Sequence, residues 1–402
     1  MFHGFSSKQV DRDDYAALVV KAFADSGGGV FRYDRESFSV QRADGLKVNL
    51  HNAYARFCSV EKQHRQAAIM ELVSAFTAKP SAPKDSEEWK SKLLPAVRTA
   101  SYFSLVQLQS KANGNEQKGR EIASKQIADD LAMCVAYDDD RMISLLNWES
   151  LMKREIEFEE ALKVARDNLR EKTDPSLLVE RAPGFFVGQW NDSYESSRIV
   201  LTDLIYRLPL AGDPVAFVPS RNQLWVTGSA NAGVIESMLK AGQNEHFGAY
   251  PLSPYLFVLR DQRWATFQPE SKAAQESLRL IELRRLSLDY SQQKGSLETI
   301  HRQDTSNVFV SPFQVSKEKG TERLYSISVW PKNVETLLPR TEKVAILINV
   351  ETKDSFAVTW RVMNSVVGHL LEEQTGLFPE RYRVRSFPSE AEIAALRQSA
   401  SS

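Results

Sequence analysis

Cysteine is nearly absent from this chain: Cys58 and Cys134 are the only two in 402 residues, far apart and outside any Cys-x-x-Cys spacing. They supply neither a disulfide framework nor a zinc-ligand set. Histidine is sparse too, with His3, His51, His64, His246, His301 and His369 scattered and no His-x-x-x-His pair, so a zinc hydrolase is not indicated. Neither a Gly-x-Ser-x-Gly elbow nor the Gly-Lys-Ser/Thr ending of a phosphate loop occurs, and the many serines have no positional claim to be nucleophiles. An excess of one charge is also missing. With 51 Lys and Arg against 52 Asp and Glu, the formal charge is -1, and the whole-molecule field does not attract polyanions. No apolar run approaches the roughly 20 residues that span a bilayer; Val344 to Val350 is strand-sized. Met1 to Asp14 carries Lys8, Asp11, Arg12, Asp13 and Asp14 without the apolar core of a secretory signal. A cytoplasmic protein with no membrane partner, no metal and no cofactor is expected.

What is present is core-forming material: 42% of residues are hydrophobic and 10% aromatic. The length exceeds that at which single cores stop growing, so two or three domains are expected. The densest pattern runs from Phe185 to Gln268. Asp192 as N-cap and Glu195 three residues on predict a helix through Ile205. Val215 to Val218 and Gln223 to Thr227 flank Pro219-Ser220-Arg221-Asn222 as a hairpin, followed by a helix from about Ala232 to Ala241. A second hairpin joins Tyr255 to Leu259 with Trp264 to Phe267 at Asp261-Gln262. Elsewhere, a short helix Glu87 to Leu94 is stopped by Pro95, a hairpin turns at Asp138-Asp139-Asp140, and one amphipathic helix covers Glu149 to Arg170. Lys272 to Arg302 reads as a long helix broken near Gly295, and Asn364 to Glu373 as a helix capped by Gly376.

One arrangement recurs, strand, polar turn, strand, helix, at Val30 to Ala78, Leu131 to Arg170, Val215 to Ala241, Tyr255 to about Lys294 and Val344 to Gln374. It predicts the α+β class, with antiparallel sheets built from hairpin-plus-helix units and helices on one face. The expected units are 1–80, 81–174, 175–270 and 271–402, with Pro80 to Lys84 as a linker or long surface loop.

Four features invite a functional reading. Asp138, Asp140 and Glu149 fall at positions 1, 3 and 12 of a calcium loop, but Met142 and Ile143 stand where an oxygen ligand and the turning glycine are needed, so a hairpin turn is the better account. Gly228-Ser229-Ala230-Asn231-Ala232-Gly233 links a strand to a helix and offers amides to a phosphate; helix capping by Ser229 or Asn231 is the plainer reading. Asp192, Tyr194, Arg198 and Arg221 are the ligand-binding candidates, since forked guanidinium groups suit a carboxylate or phosphate; alternatively, Arg198 is a structural tether. Arg381, Arg383 and Arg385 alternate on a strand, giving either a basic strip or a solvated edge that deters strand pairing. His369 reads as core or groove packing.

Several stretches together resemble the DUF1444 family, the YtpQ-like bacterial proteins. They are Leu94-Pro95-Ala96-Val97-Arg98, Leu146-Asn147-Trp148, Ala165-Arg166-Asp167-Asn168-Leu169, Asp192 through Ile199, Pro219 through Leu224, and the hairpin ending at Pro269, all within Val30 to Pro269. Asn222 stands where that family's turn carries an acid. The resemblance implies a bacterial, cytoplasmic α+β protein and brings no catalytic residues with it. The function expected is therefore a non-catalytic binding or scaffold protein with a protein partner, nucleic acid being disfavoured. The alternative is an enzyme acting on a small anionic substrate at Tyr194, Arg198 and Arg221.

Overall fold

A computed structural model describes residues 10–35, 38–42, 47–77, 85–112, 114, 121–138, 143–244, 251–318, 320–349 and 351–400. Asp44 and Gly45, which read as a turn within the Val30 to Ala78 stretch, the Pro80 to Lys84 linker, Asp139 and Asp140 of the acidic turn, Met142, His3 and His246 lie outside these residues. The chain is α+β, with helices set against several antiparallel or mixed sheets. Among the described residues no helix is long and apolar enough to cross a membrane.

At the centre is a six-stranded sheet in the order Arg263–Phe267, Leu256–Arg260, Pro214–Phe217, Trp225–Gly228, Phe185–Gly188 and Leu178–Ala182, antiparallel throughout. Both predicted hairpins are here. Asp261 and Gln262 take positive φ of 47° and 59°, the backbone of a two-residue turn whose twist matches its strands. The inner strands lack a polar face because both of their faces are buried. Val215 and Phe217 point to one core with Ile235, Leu239, Leu278 and Ile281, while Ala216 and Val226 point to another with Leu94, Val97, Leu169 and Ile199. The second core crosses the expected 174/175 boundary. Its outer wall is the strand Leu93–Thr99, paired edge-on to Leu131–Asp138, and the helix Phe158–Glu171.

The long helix is continuous from Lys272 to Gln303, 32 residues, starting at Ser271, whose hydroxyl accepts from the Ala274 amide. Gly295 does not break it: that position is exposed, and i to i-4 bonds continue on both sides. Other corrections have equally local causes. Pro95 sits inside an edge strand, where a missing N–H is tolerated, and the helix before it ends at Ser91. Glu149 to Arg170 is two helices, Trp148–Lys153 and Phe158–Glu171, separated where Glu155 takes φ 53°. Asn364 to Glu373 shortens to the helix Trp360–Val367 with a single further turn, and Gly376 belongs to a later turn at φ 80°.

Beyond the long helix lie two four-stranded sheets. Each contains one parallel pair, Leu324–Pro331 with Lys343–Asn349 and Phe309–Val310 with Thr336–Pro339. The N-terminal helices and three-stranded sheet close a core of their own, from Tyr15 to Val73.

Two glycines make opposite predictions. A Cβ at Gly295 meets nothing within 4 Å, so Gly295→Ala raises the urea midpoint, by roughly 0.5–1 kcal/mol of helix propensity. A Cβ at Gly228 would lie 2.1 Å from the Ala211 carbonyl oxygen, so Gly228→Ala lowers the midpoint, through a stability loss of about 1–3 kcal/mol. Midpoints moving in the same direction would contradict this packing.

Candidate functional site

Arginines from three elements meet in a small pocket of about 130 Å³. Arg98 is the penultimate residue of the strand Leu93–Thr99, Arg221 sits in the hairpin turn, and Arg285 comes from the long helix. Between them stands Tyr102, in the first turn of the helix Ala100–Ala112; the Arg98 and Arg221 guanidinium carbons lie 5.5 and 5.4 Å from its ring centroid. Arg98 is 8% exposed, donates through Nη1 to the Val97 carbonyl at 2.7 Å, and has a buried Nε with no hydrogen-bond partner. Arg285 forks onto Asp289 at 3.0 Å and reaches the Ser101 hydroxyl at 3.4 Å. Behind the pocket, Asp130 accepts from the Ser253 hydroxyl at 2.9 Å. Burial pushes its carboxyl up to about 7, with Asp289 and Glu282 adding to the rise and Ser253 and Arg285 opposing it.

Of the four residues singled out in the sequence, only Arg221 lines this pocket. Arg198 is fully buried and fully occupied: its Nη atoms fork onto Asp192 at 2.9 and 2.6 Å, its Nε donates to the Thr173 hydroxyl at 3.0 Å, and Trp190 covers it at 4.2 Å. Burial pushes the Asp192 carboxyl up, but that fork and the Tyr194 amide outweigh it and hold the group below the usual carboxylate range. Asp192 is consequently not the N-cap of a long helix. It closes a turn with Asn191 and Ser193 at positive φ, and only the short pieces Ser196–Val200 and Thr202–Tyr206 follow. Tyr194 is buried, and burial followed by the nearby Asp138 carboxylate raises its hydroxyl well above the usual range.

The strand Arg381–Val384 does not form a basic strip, nor is it a sheet edge, because it lies inside its sheet. Arg381 is fully buried, donating to Gln293 Oε1 at 2.5 Å and to the carbonyls of Ser311 and Leu337 at 2.8 and 3.1 Å. Burial pulls it down to about 10. Arg383 pairs with Glu335 at 2.6 Å, and Arg385 with Glu372. Three amides of the Gly228 to Gly233 stretch are taken up: Ser229, Ala230 and Asn231 donate to the carbonyls of Asp213, Ala211 and Gly228, while the Asn231 side chain caps the next helix by accepting from the Val234 amide. His369 is exposed beside Glu392 rather than packed in a core or groove. Cys134 is buried, its thiol pushed up to about 11 by that burial, and it donates to the Ala96 carbonyl. Among the described residues no three His, Cys, Asp or Glu side chains are grouped to hold a metal ion.

A larger cleft, about 1060 Å³, opens between the long helix and the C-terminal sheets. Its aromatic lining includes Tyr290 stacked on Phe313 at 5.0 Å and Trp360 tilted against Tyr382 at 5.1 Å. Each carboxylate facing it is engaged: Glu282 by the Tyr255 hydroxyl at 2.8 Å, Glu380 by Arg340 at 2.6 Å, and Glu342 by Arg279 and Arg323 at 3.1 and 2.8 Å. Arg361 is exposed at the cleft and makes no ion pair among the described residues.

Sequence reasoning missed the pocket because it read Pro95 as a helix stop and saw no helix at Ala100–Ala112. The signal was Thr99, a good N-cap whose hydroxyl accepts from the Tyr102 amide, ahead of apolar Phe103, Val106 and Leu108. No protein-family model, curated protein or solved structure matches the chain.

Asp130 gives a pH prediction. Between its ordinary value, 3.8, and about 7 the folded chain keeps a proton that the unfolded chain releases, so this group's stabilisation is full below the lower value and lost as pH rises through the upper one. Asp130→Asn removes that dependence. Relative to the parent, the variant gains on the order of 3 kcal/mol between about pH 4 and about pH 8, read by urea unfolding at both. A difference that stays constant with pH would show that the buried carboxyl ionises normally.

Proposed function

We propose that this chain is a non-catalytic binding protein of the bacterial cytoplasm, which seats an extended segment of a partner protein in the cleft between the long helix and the C-terminal sheets. The observation that carries the reading is the cleft itself. Its volume is at the upper end of ligand sites, and its aromatic side chains are of the types that dominate protein recognition. The carboxylates facing it are held by hydroxyl or guanidinium donors, so none stands ready as a general base, and neither histidine nor cysteine lines it. Exposed Arg361 at the cleft supplies a charge for an acidic position on the partner. The alternative, an enzyme using Tyr194, Arg198 and Arg221 on a small anion, loses support because Arg198 is committed to Asp192. The resemblance to the DUF1444 family remains an expectation about residues 30–269, and most of the cleft's lining falls outside them.

The test is a photoreactive phenylalanine analogue in place of Asn364, which is exposed in the cleft lining, activated in the producing cell. A discrete adduct with one protein is expected, absent when the analogue replaces Lys353, which is exposed and outside the cleft, and lost when Trp360→Ala is added. No adduct, or the same adducts from both positions, would overturn the reading.

A further inference from the structure

We propose that the pocket walled by Arg98, Tyr102, Arg221 and Arg285 binds a single phosphate group. Among the described residues that line it, three guanidinium groups face a space of about 130 Å³ against one acid, Asp289, which Arg285 already holds. Like charges gathered around one small volume repel unless an anion joins them. Arg98 is the decisive member. It is more than nine-tenths buried, its guanidinium donates to the neighbouring Val97 carbonyl and pairs with no carboxylate among the described residues, and burying an unpaired charge is costly unless a counter-ion completes it. The 13-residue helix Ala100–Ala112 begins at the same place, with Ser101 and Tyr102 of its first turn in the wall, adding the positive end of its dipole.

The volume suits one tetrahedral oxyanion rather than a whole nucleotide. Forked donors arriving from a strand, a turn and a helix suit an anion with oxygens in three dimensions better than a planar carboxylate. The site is spatially distinct from the proposed partner cleft, since the two are lined by different residues of the long helix.

The full chain is titrated with inorganic phosphate by calorimetry at constant ionic strength, with sulfate, acetate and glycerol phosphate as parallel probes. Saturable one-to-one binding of phosphate is expected, weakened roughly tenfold or more by Arg221→Gln, the loss of one charge-assisted contact. Arg98→Met should abolish binding while leaving the ligand-free protein at least as heat-stable as the parent, because a buried unpartnered charge is removed. A purely structural Arg98 would instead lower the ligand-free melting temperature. Tighter binding of glycerol phosphate than of orthophosphate makes the ligand a phosphomonoester; the reverse makes it free phosphate. Acetate saturating as well as phosphate, no saturable binding, or binding unchanged in both variants overturns the assignment.

Discussion

The constraint on which this architecture depends is the unbroken helix Lys272–Gln303. At 1.5 Å per residue it runs for about 48 Å, too far to be served by one core. Its sides are buried in succession. Ala274, Leu278 and Ile281 pack on the central sheet, Leu283 and Tyr290 meet Phe313, and Leu297 and Ile300 join Leu108, Val310 and Leu337. Because side chains three and four apart share a face, two neighbouring stripes remain between those cores. Glu282, Leu286 and Tyr290 line the cleft; Arg285, Asp289 and Gln292 line the pocket. Both candidate sites thus inherit their geometry from one rigid element.

Three buried arginines separate structure from function. Arg198 is matched by a carboxylate fork, a hydroxyl and an aromatic face. Arg381 has no hydrogen-bonded carboxylate, but an amide oxygen and backbone carbonyls surround it and tie the long helix to the strands beyond. Even pulled down to about 10, it stays charged at neutral pH. Both are completed by the fold. Arg98 is not, and folding alone gives no reason to bury a guanidinium with an unmet donor.

What was legible in the sequence was local. The Asp261-Gln262 hairpin, the helix after Asn231 and the long helix follow from turn residues, caps and periodicity, and the α+β class follows from their repetition. The capping box at Asp192 and Glu195 was a true pattern with the wrong outcome. Asp192 does accept from the Tyr194 amide and Glu195 does reach back to the Asp192 amide, yet Arg198 claims the same carboxylate and ends the segment as a turn. Arg381 shows the converse: alternation put three arginines on one strand, but whether that strand is an edge or an interior member is decided by pairing partners more than 40 residues away, at Thr336–Pro339. The pocket is less legible still. Arg98, Arg221 and Arg285 are separated by more than 60 residues at each step, and no local signal joins them.

Where the two stripes of the long helix approach each other lies a buried polar seam. Asp130 meets Ser253 there and feels the charges of Glu282 from the cleft side and of Arg285 and Asp289 from the pocket side. Burial raises the carboxyls of both Asp130 and Asp289 beside the Arg285 guanidinium, and Asp130, the more buried of the two, is pushed up to about 7. An oxyanion held by Arg285 would add negative charge beside this seam and raise the penalty for ionising Asp130 further. By reciprocity, proton binding at Asp130 would favour the anion to the same degree. A side chain that touches neither ligand would thus report on one site and be influenced by the other, because a single helix carries both.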